Sequence, residues 1–228
     1  MRRSVILIVV GIAVAAILLG LGKWQVDRLA WKTQILADID THITQAPVAV
    51  PANPDPIADR YLPVKATGTV TTDELHVLAS ARGQGAGYRI ITAFETEDGR
   101  RLMLDRGFVA INAKDDTRPE HDATIIGNLH WPDERTGSTP ENDLANNDWF
   151  SRDIPQMAQA LDAEPILIVV RETDYPEPRV TPWPVDTAGI PNNHLEYAVT
   201  WFSFAAIWII GIAYLLWRDR RAKDERPE

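Results

Sequence analysis

The chain has 228 residues, a formal net charge of −9 and no cysteine. The length allows one or two domains, and the missing thiols remove a CxxC redox pair, a thiolate metal site, a cysteine nucleophile and a CxxCH motif for covalent cofactor attachment. From Trp24 to Glu196 there are 28 Asp and Glu against 15 Lys and Arg, a balance poorly matched to nucleic acid.

From Ser4 to Gly22 no side chain is ionisable, and Val, Ile, Leu, Ala and Gly make up nearly all of the stretch. At ~1.5 Å per residue it reaches across a hydrocarbon core of ~30 Å, so residues 4–22 are predicted as a first transmembrane helix. The run is longer than a signal-peptide core, which makes it an uncleaved anchor. The helix is expected to continue from Lys23 to Ile43, where Trp24, Leu29, Trp31, Ile35, Leu36 and Ile39 recur at roughly helical spacing. The prolines of APVAVPANPDP then break it.

Beyond the break the chain reads mostly as strands: Tyr61 to Val70, Leu75 to Ala79, Tyr88 to Glu95, Arg101 to Ile111 and Ala123 to His130 are short and rich in β-branched and aromatic residues. The turn Glu97-Asp98-Gly99-Arg100 pairs YRIITAFETE with RRLMLDRGFVAI, because both central positions of an Asp-Gly turn can take positive φ. A short helix is predicted at Ile154 to Leu161 and a strand at Ile166 to Val170, after which proline-rich segments around Asp174 to Pro184 lead back to the membrane. Ala198 to Trp217 is again uncharged over 20 residues, with Tyr197 and Trp201 at one edge and Tyr214 and Trp217 at the other. Such belts form where amphipathic rings meet headgroups.

Arg2 and Arg3 precede the first span, while Arg218, Arg220, Arg221, Lys223 and Arg226 follow the second, so both termini are expected in the cytoplasm. The predicted architecture is a membrane protein of the α+β class, in which two transmembrane helices flank an exported, antiparallel β-rich domain that is barrel- or sandwich-like. Its segments are a cytoplasmic N-terminus (1–3), a transmembrane helix (4–22), the β-rich domain (23–196), a second transmembrane helix (197–217) and a cytoplasmic tail (218–228).

Few residues carry chemistry. The histidines at 42, 76, 121, 130 and 194 show no metal-ligand spacing, and no nucleophile elbow or phosphate loop is present. Gly83, Gly85 and Gly87 read as a turn, Asp105-Arg106-Gly107 as a paired charge with a bulge, and the acidic pairs Asp115-Asp116 and Asp133-Glu134 as solvated loops. No constellation argues for an enzyme.

The segment PNNHLEYAVTWF, Pro191 to Phe202, is different. Asn193 and Glu196 suit a helix start, as N-cap and third helical position. On that helix His194, Tyr197, Trp201, Phe204 or Ala205, and Trp208 fall in one stripe, an imidazole above a flat apolar wall. The partial positive charge of the helix N-terminus keeps the imidazole lone pair available, whereas Glu196 favours the protonated ring. Anchoring at the membrane boundary is the other reading of the same residues.

Three segments carry a family resemblance: LGKWQVDRLAWK after the first span, GYRIITAFETEDGRRLMLDRGFV in the domain and PNNHLEYAVTWFSFA entering the second span. With the two-helix layout, they resemble the Surf1 (Shy1) family of cytochrome c oxidase assembly factors over essentially the whole chain. The resemblance implies a role in maturing the catalytic subunit of a haem-copper, aa3-type oxidase, with haem a bound non-covalently and transiently. His194 corresponds to the histidine proposed as axial iron ligand in bacterial members. On that basis Arg28 is expected to meet a propionate, and Trp24, Tyr197 and Trp201 to wall the porphyrin.

The implied partners are the catalytic subunit and the lipid bilayer, with haem a synthase as a further candidate and no nucleic acid. A haem-independent adaptor that stabilises an assembly intermediate is the alternative. One departure is that Asp105-Arg106-Gly107-Phe108-Val109 stands where the family often has Asn-Arg-Gly-Trp-Val. The absence of an Arg- and Ser-rich stretch before Ser4 points to a bacterial plasma (inner) membrane, with the central domain periplasmic.

Overall fold

The computed structural model describes residues 2–81, 83–177, 180–187 and 190–224, with side chains from 5 to 221. The orientation-setting side chains of Arg2, Arg3, Lys223 and Arg226 lie outside the described set. In chain order the elements are α1 (Arg2–Ile43), β1 (Val48–Ala49), β2 (Pro63–Ala81), β3 (Gly85–Thr96), β4 (Arg101–Ala110), β5 (His121–His130), β6 (Asp148–Trp149), α2 (Ile154–Ala160), β7 (Leu167–Thr173) and α3 (His194–Asp224). They form two compact units, Met1–Ile39 with Thr187–Glu228, and Asp40–Asp186. The protein is thus of the membrane α+β class: α1 and α3 are long and apolar enough to cross a membrane and flank a sheet-rich domain.

The first unit is an antiparallel helix pair. On α1 the covered positions Gly11, Ala15, Leu18, Gly22, Gln25, Leu29 and Lys32 alternate in steps of four and three. On α3 His194, Ala198, Trp201, Ala205, Trp208 and Ile212 do the same. A 3.5-residue repeat keeps one seam facing a partner helix, as in coiled coils. Small residues bring the backbones close: Trp208 Nε1 donates to the Gly11 carbonyl at 3.0 Å, and a Cβ on Gly22 would come within 2.6 Å of the Phe202 ring. Close backbone approach through small residues is the usual basis of helix association in lipid.

The second unit is a closed barrel. β2 pairs with β3, β3 with β4, β4 with β7, β7 with β5, and β5 again with β2. The expected strands at Tyr61 to Val70 and Leu75 to Ala79 are one element, broken only by a register shift between Val70 and Glu74. That break lets β2 serve two neighbours: Pro63 to Val70 face Asn128 to His121 of β5, while Gly68 to Ala81 face β3. At Gly68 both neighbours meet, and a Cβ there would lie 2.1 Å from the Glu95 carbonyl oxygen. The sheet is mixed rather than purely antiparallel, since β4–β7, β1–β2 and β2–β6 run parallel. A crossover through β5 and α2 joins β4 to β7, and such a return permits a parallel pair.

Alternate side chains fill two cores. Phe94, Leu102, Leu104, Ile125, Leu129 and Ile168 lie inside the barrel, while Ile91, Met103, Leu167 and Val169 lie on the outer face under Ile154 and Met157 of α2. Runs such as Leu102 to Leu104 are continuously apolar because both faces of their strands are covered. The β3–β4 hairpin closes through a three-residue loop: Thr96 and Arg100 pair, and of the loop residues only Gly99 has positive φ, at 83°. The last turn of α1 ends inside this unit, where Asn128 Nδ2 and Arg171 donate to the Ile43 carbonyl at 2.9 and 2.8 Å.

Candidate functional site

The charged candidates of the domain are occupied by one another. Asp105 has 0% exposure and accepts hydrogen bonds from Arg89 at 2.6 Å, Arg152 at 3.2 Å and the Gly107 N–H at 3.2 Å. Arg106 is the extra residue of a bulge opposite Ile90 and Ile91, and its guanidinium holds Glu177. Gly107 has φ of 124°, and a Cβ on it would meet the Thr181 carbonyl at 2.3 Å, so the bridge between Phe108 and Thr181 requires glycine beside it. The segment departing from the family pattern is therefore an element of the domain's architecture, with Phe108 edge-on to Trp183 at 5.9 Å.

Among the described residues, three of the domain histidines each leave one ring nitrogen buried without a hydrogen-bond partner, His76 Nδ1, His121 Nε2 and His130 Nδ1. His76 Nε2 lies 2.8 Å from Glu74, and His121 donates Nδ1–H to the Pro119 carbonyl at 2.9 Å. Burial alone would raise the Glu74 carboxyl, but hydrogen bonds from His76 and Arg118, with their charges, outweigh it and hold it at about 2. Burial, then the Arg152 and Arg60 charges, push His130 down to about 4. Among the described residues no three His, Cys, Asp or Glu side chains are placed to hold a metal ion.

His194 is the first residue of α3 and the first position of its seam. The preceding residue, Asn193, offers its carbonyl to the Tyr197 N–H at 3.2 Å, and Glu196 sits exposed in the first turn. Opposite, Gln25 is only 8% exposed, and its Oε1 lies 2.7 Å from His194 Nδ1. Since an amide oxygen only accepts, Nδ1 is the donor in this contact. Among the described residues Nε2 has no hydrogen-bond partner. Seven residues beyond Gln25, the Lys32 ammonium donates to the Pro191 carbonyl. The half-buried imidazole thus sits on a segment held at both ends by α1 side chains.

The remaining predicted residues surround this pair unevenly. Trp201 occupies the seam and meets Phe204 edge-on at 6.2 Å, and Trp208, one period on, is bonded to Gly11. The aromatic stripe is therefore partly consumed by packing against α1. Tyr197 and Trp24 keep exposures of 56% and 55%. Arg28 is exposed, with its guanidinium 3.7 Å above the Trp31 ring. Among the described residues no ring contact joins Trp24, Tyr197 and Trp201 to one another.

Gln25 and Lys32 are absent from the sequence-based site. The signal for both is the alternating three-and-four spacing through Gly11, Gly22, Gln25, Leu29 and Lys32, which extends the seam past the apolar span. Gln25 also gives His194 a structural partner, which the residues around His194 in the sequence do not. An unanswered buried amide costs about 1–3 kcal/mol, so the hydrogen bond matters to both residues.

Residues 12–206 match the SURF1 family model. The chain is 30% identical over 218 residues to Surfeit locus protein 1 of Homo sapiens, covering 82% of this chain and 70% of the human protein. It is 30% identical over 217 residues to the SURF1-like protein of Rickettsia felis, covering 89% of this chain and 92% of that protein. With the SURF1-like protein of Monosiga brevicollis it shares 28% identity over 215 residues, 86% and 82% of the two chains.

Proposed function

The chain belongs to the SURF1 family, and from that premise we propose that it serves the assembly of an aa3-type cytochrome c oxidase by binding haem a through His194. In this reading it is a two-pass protein of a bacterial plasma membrane with both termini cytoplasmic and the β-rich domain periplasmic. It receives haem a, with haem a synthase as a candidate donor, and passes it to the catalytic subunit. The observation that carries the reading is the divided imidazole: Nδ1 is bound to Gln25 at 2.7 Å, while Nε2 has no partner among the described residues.

The neighbouring residues fit such a group. Nε2 suits an axial position on iron, the half-exposed rings of Trp24 and Tyr197 suit a porphyrin face, and the exposed Arg28 suits a propionate. The exposed Glu196 opposes a propionate, so the cation has to outweigh it. Haem a supplies the oxidase's redox iron, and this chain's residues hold and shelter it.

Protein co-expressed with the haem a pathway is expected to purify with a porphyrin absorbance that His194→Ala abolishes. Equal haem content in wild type and variant would remove His194 as ligand. A second reading, a haem-independent adaptor, is favoured by the seam itself, because Trp201, Trp208 and His194 already have packing roles. It predicts that the oxidase catalytic subunit co-purifies equally well with His194→Ala, with neither preparation containing haem.

A further inference from the structure

We infer that Gln25 is a positioning residue that fixes the tautomer of His194 and thereby selects Nε2 as the nitrogen presented to iron. The iron-binding half of this inference rests on the haem reading; the tautomer half stands on geometry alone. An imidazole at a helix start can expose either nitrogen by ring rotation or proton exchange. Here rotation breaks a 2.7 Å hydrogen bond and strands an amide that is 8% exposed. Proton exchange sets two acceptors, Oε1 and a bare Nδ1, against each other.

The backbone is held as well. Gln25 and Lys32 lie two turns apart on one seam of α1, and they grip His194 and the Pro191 carbonyl respectively. The imidazole can neither swing outward with its loop nor spin in place without losing one of these contacts. Histidine ligands of metals commonly donate their second ring N–H to such a partner, which orients the ring and raises the basicity of the ligating nitrogen. A carboxamide is a moderate partner of this kind, weaker than a carboxylate. It leaves Nε2 as the free nitrogen without adding a buried negative charge beside an incoming propionate. That suits a site from which haem a has to leave again.

The test uses full-length protein in lipid bilayers with 15N-labelled histidine, comparing wild type, Gln25→Leu and Gln25→Glu. Solid-state 15N spectra of haem-free protein are expected to show His194 with Nδ1 protonated in wild type and Gln25→Glu, with Nε2 bare in wild type, and a mixture of tautomers in Gln25→Leu. Titration with haem a is expected to lose 10–100-fold in affinity in Gln25→Leu, roughly the loss usual for an outer partner of a metal-bound histidine. Gln25→Glu is expected to keep binding and lower the reduction potential of the bound haem, a change that packing alone does not produce.

A wild-type spectrum with Nε2 protonated, which a flipped Gln25 amide would give, overturns the inference. So does an unchanged tautomer in Gln25→Leu. If wild type takes up no haem a, the proposed function fails while the 15N comparison still judges Gln25. If wild type binds through His194 but all three proteins share affinity and potential, the function stands and the role of Gln25 falls.

Discussion

In residues 40–186 a fully buried carboxylate, Asp105, is met by two guanidinium groups and a backbone N–H. In the helix pair a buried amide, Gln25, meets one imidazole nitrogen, and the other nitrogen of that ring is left without a partner among the described residues. The first arrangement is closed on itself: both oxygens of the carboxylate are met by donors from within the fold, so it specifies shape. The second is half-filled, and the unfilled half is an imidazole nitrogen beside an apolar span.

That contrast can be broken, most severely in the barrel. Asp105→Ala leaves Arg89 and Arg152 buried without their common acceptor and is expected to cost about 3–5 kcal/mol, read by denaturant unfolding. A loss under about 1 kcal/mol would show that solvent reaches those guanidiniums. Gly107→Ala combines a φ of 124° with the 2.3 Å approach to Thr181 and is expected to cost about 2–3 kcal/mol. Neither variant should alter the His194 tautomer if the domain refolds.

In the helix pair His194→Ala is expected to cost only about 1–2 kcal/mol, by leaving the Gln25 amide unanswered, while removing bound haem entirely. Loss of the fold in place of the ligand would put His194 with the closed arrangement. The smallest effect is pH dependence. His130 is held down to about 4, below its unfolded value of roughly 6.5, so as pH falls through that window the unfolded chain takes up a proton that the folded domain refuses. Stability should fall by about 1 kcal/mol by pH 5.5, and His130→Gln should flatten this phase. Glu74, held at about 2, contributes stability above its unfolded value of about 4.5 that is lost as pH drops further.

Local features of the fold were readable from the chain. The continuation of α1 to Ile43, the Asp-Gly hairpin and the short helix α2 all depend on neighbours within a few residues. What the chain could not show is non-local. Thr71 to Asp73 look like a turn yet only kink a single strand, because β3 stays paired on both sides of them. Barrel closure and the parallel β4–β7 pair depend on residues far apart in sequence.

The site divides in the same way. His194 was legible as an imidazole at a helix start, but its partner lies 169 residues away, and a lone glutamine beyond an apolar span looks solvated. Trp201 and Trp208 read as one wall because a helical stripe looks alike whether it faces a ligand or another helix.

The capping of α1 has a kinetic consequence. Asn128 and Arg171, which close off its last carbonyl, stand 85 and 128 residues from Ile43 and belong to β5 and β7, the strands that complete the barrel. Pairings so distant in sequence form late in folding. The end of the first helix thus stays frayed until nearly the whole domain has been made, and its protection from hydrogen exchange should rise together with that of β5 and β7, marking the moment of closure.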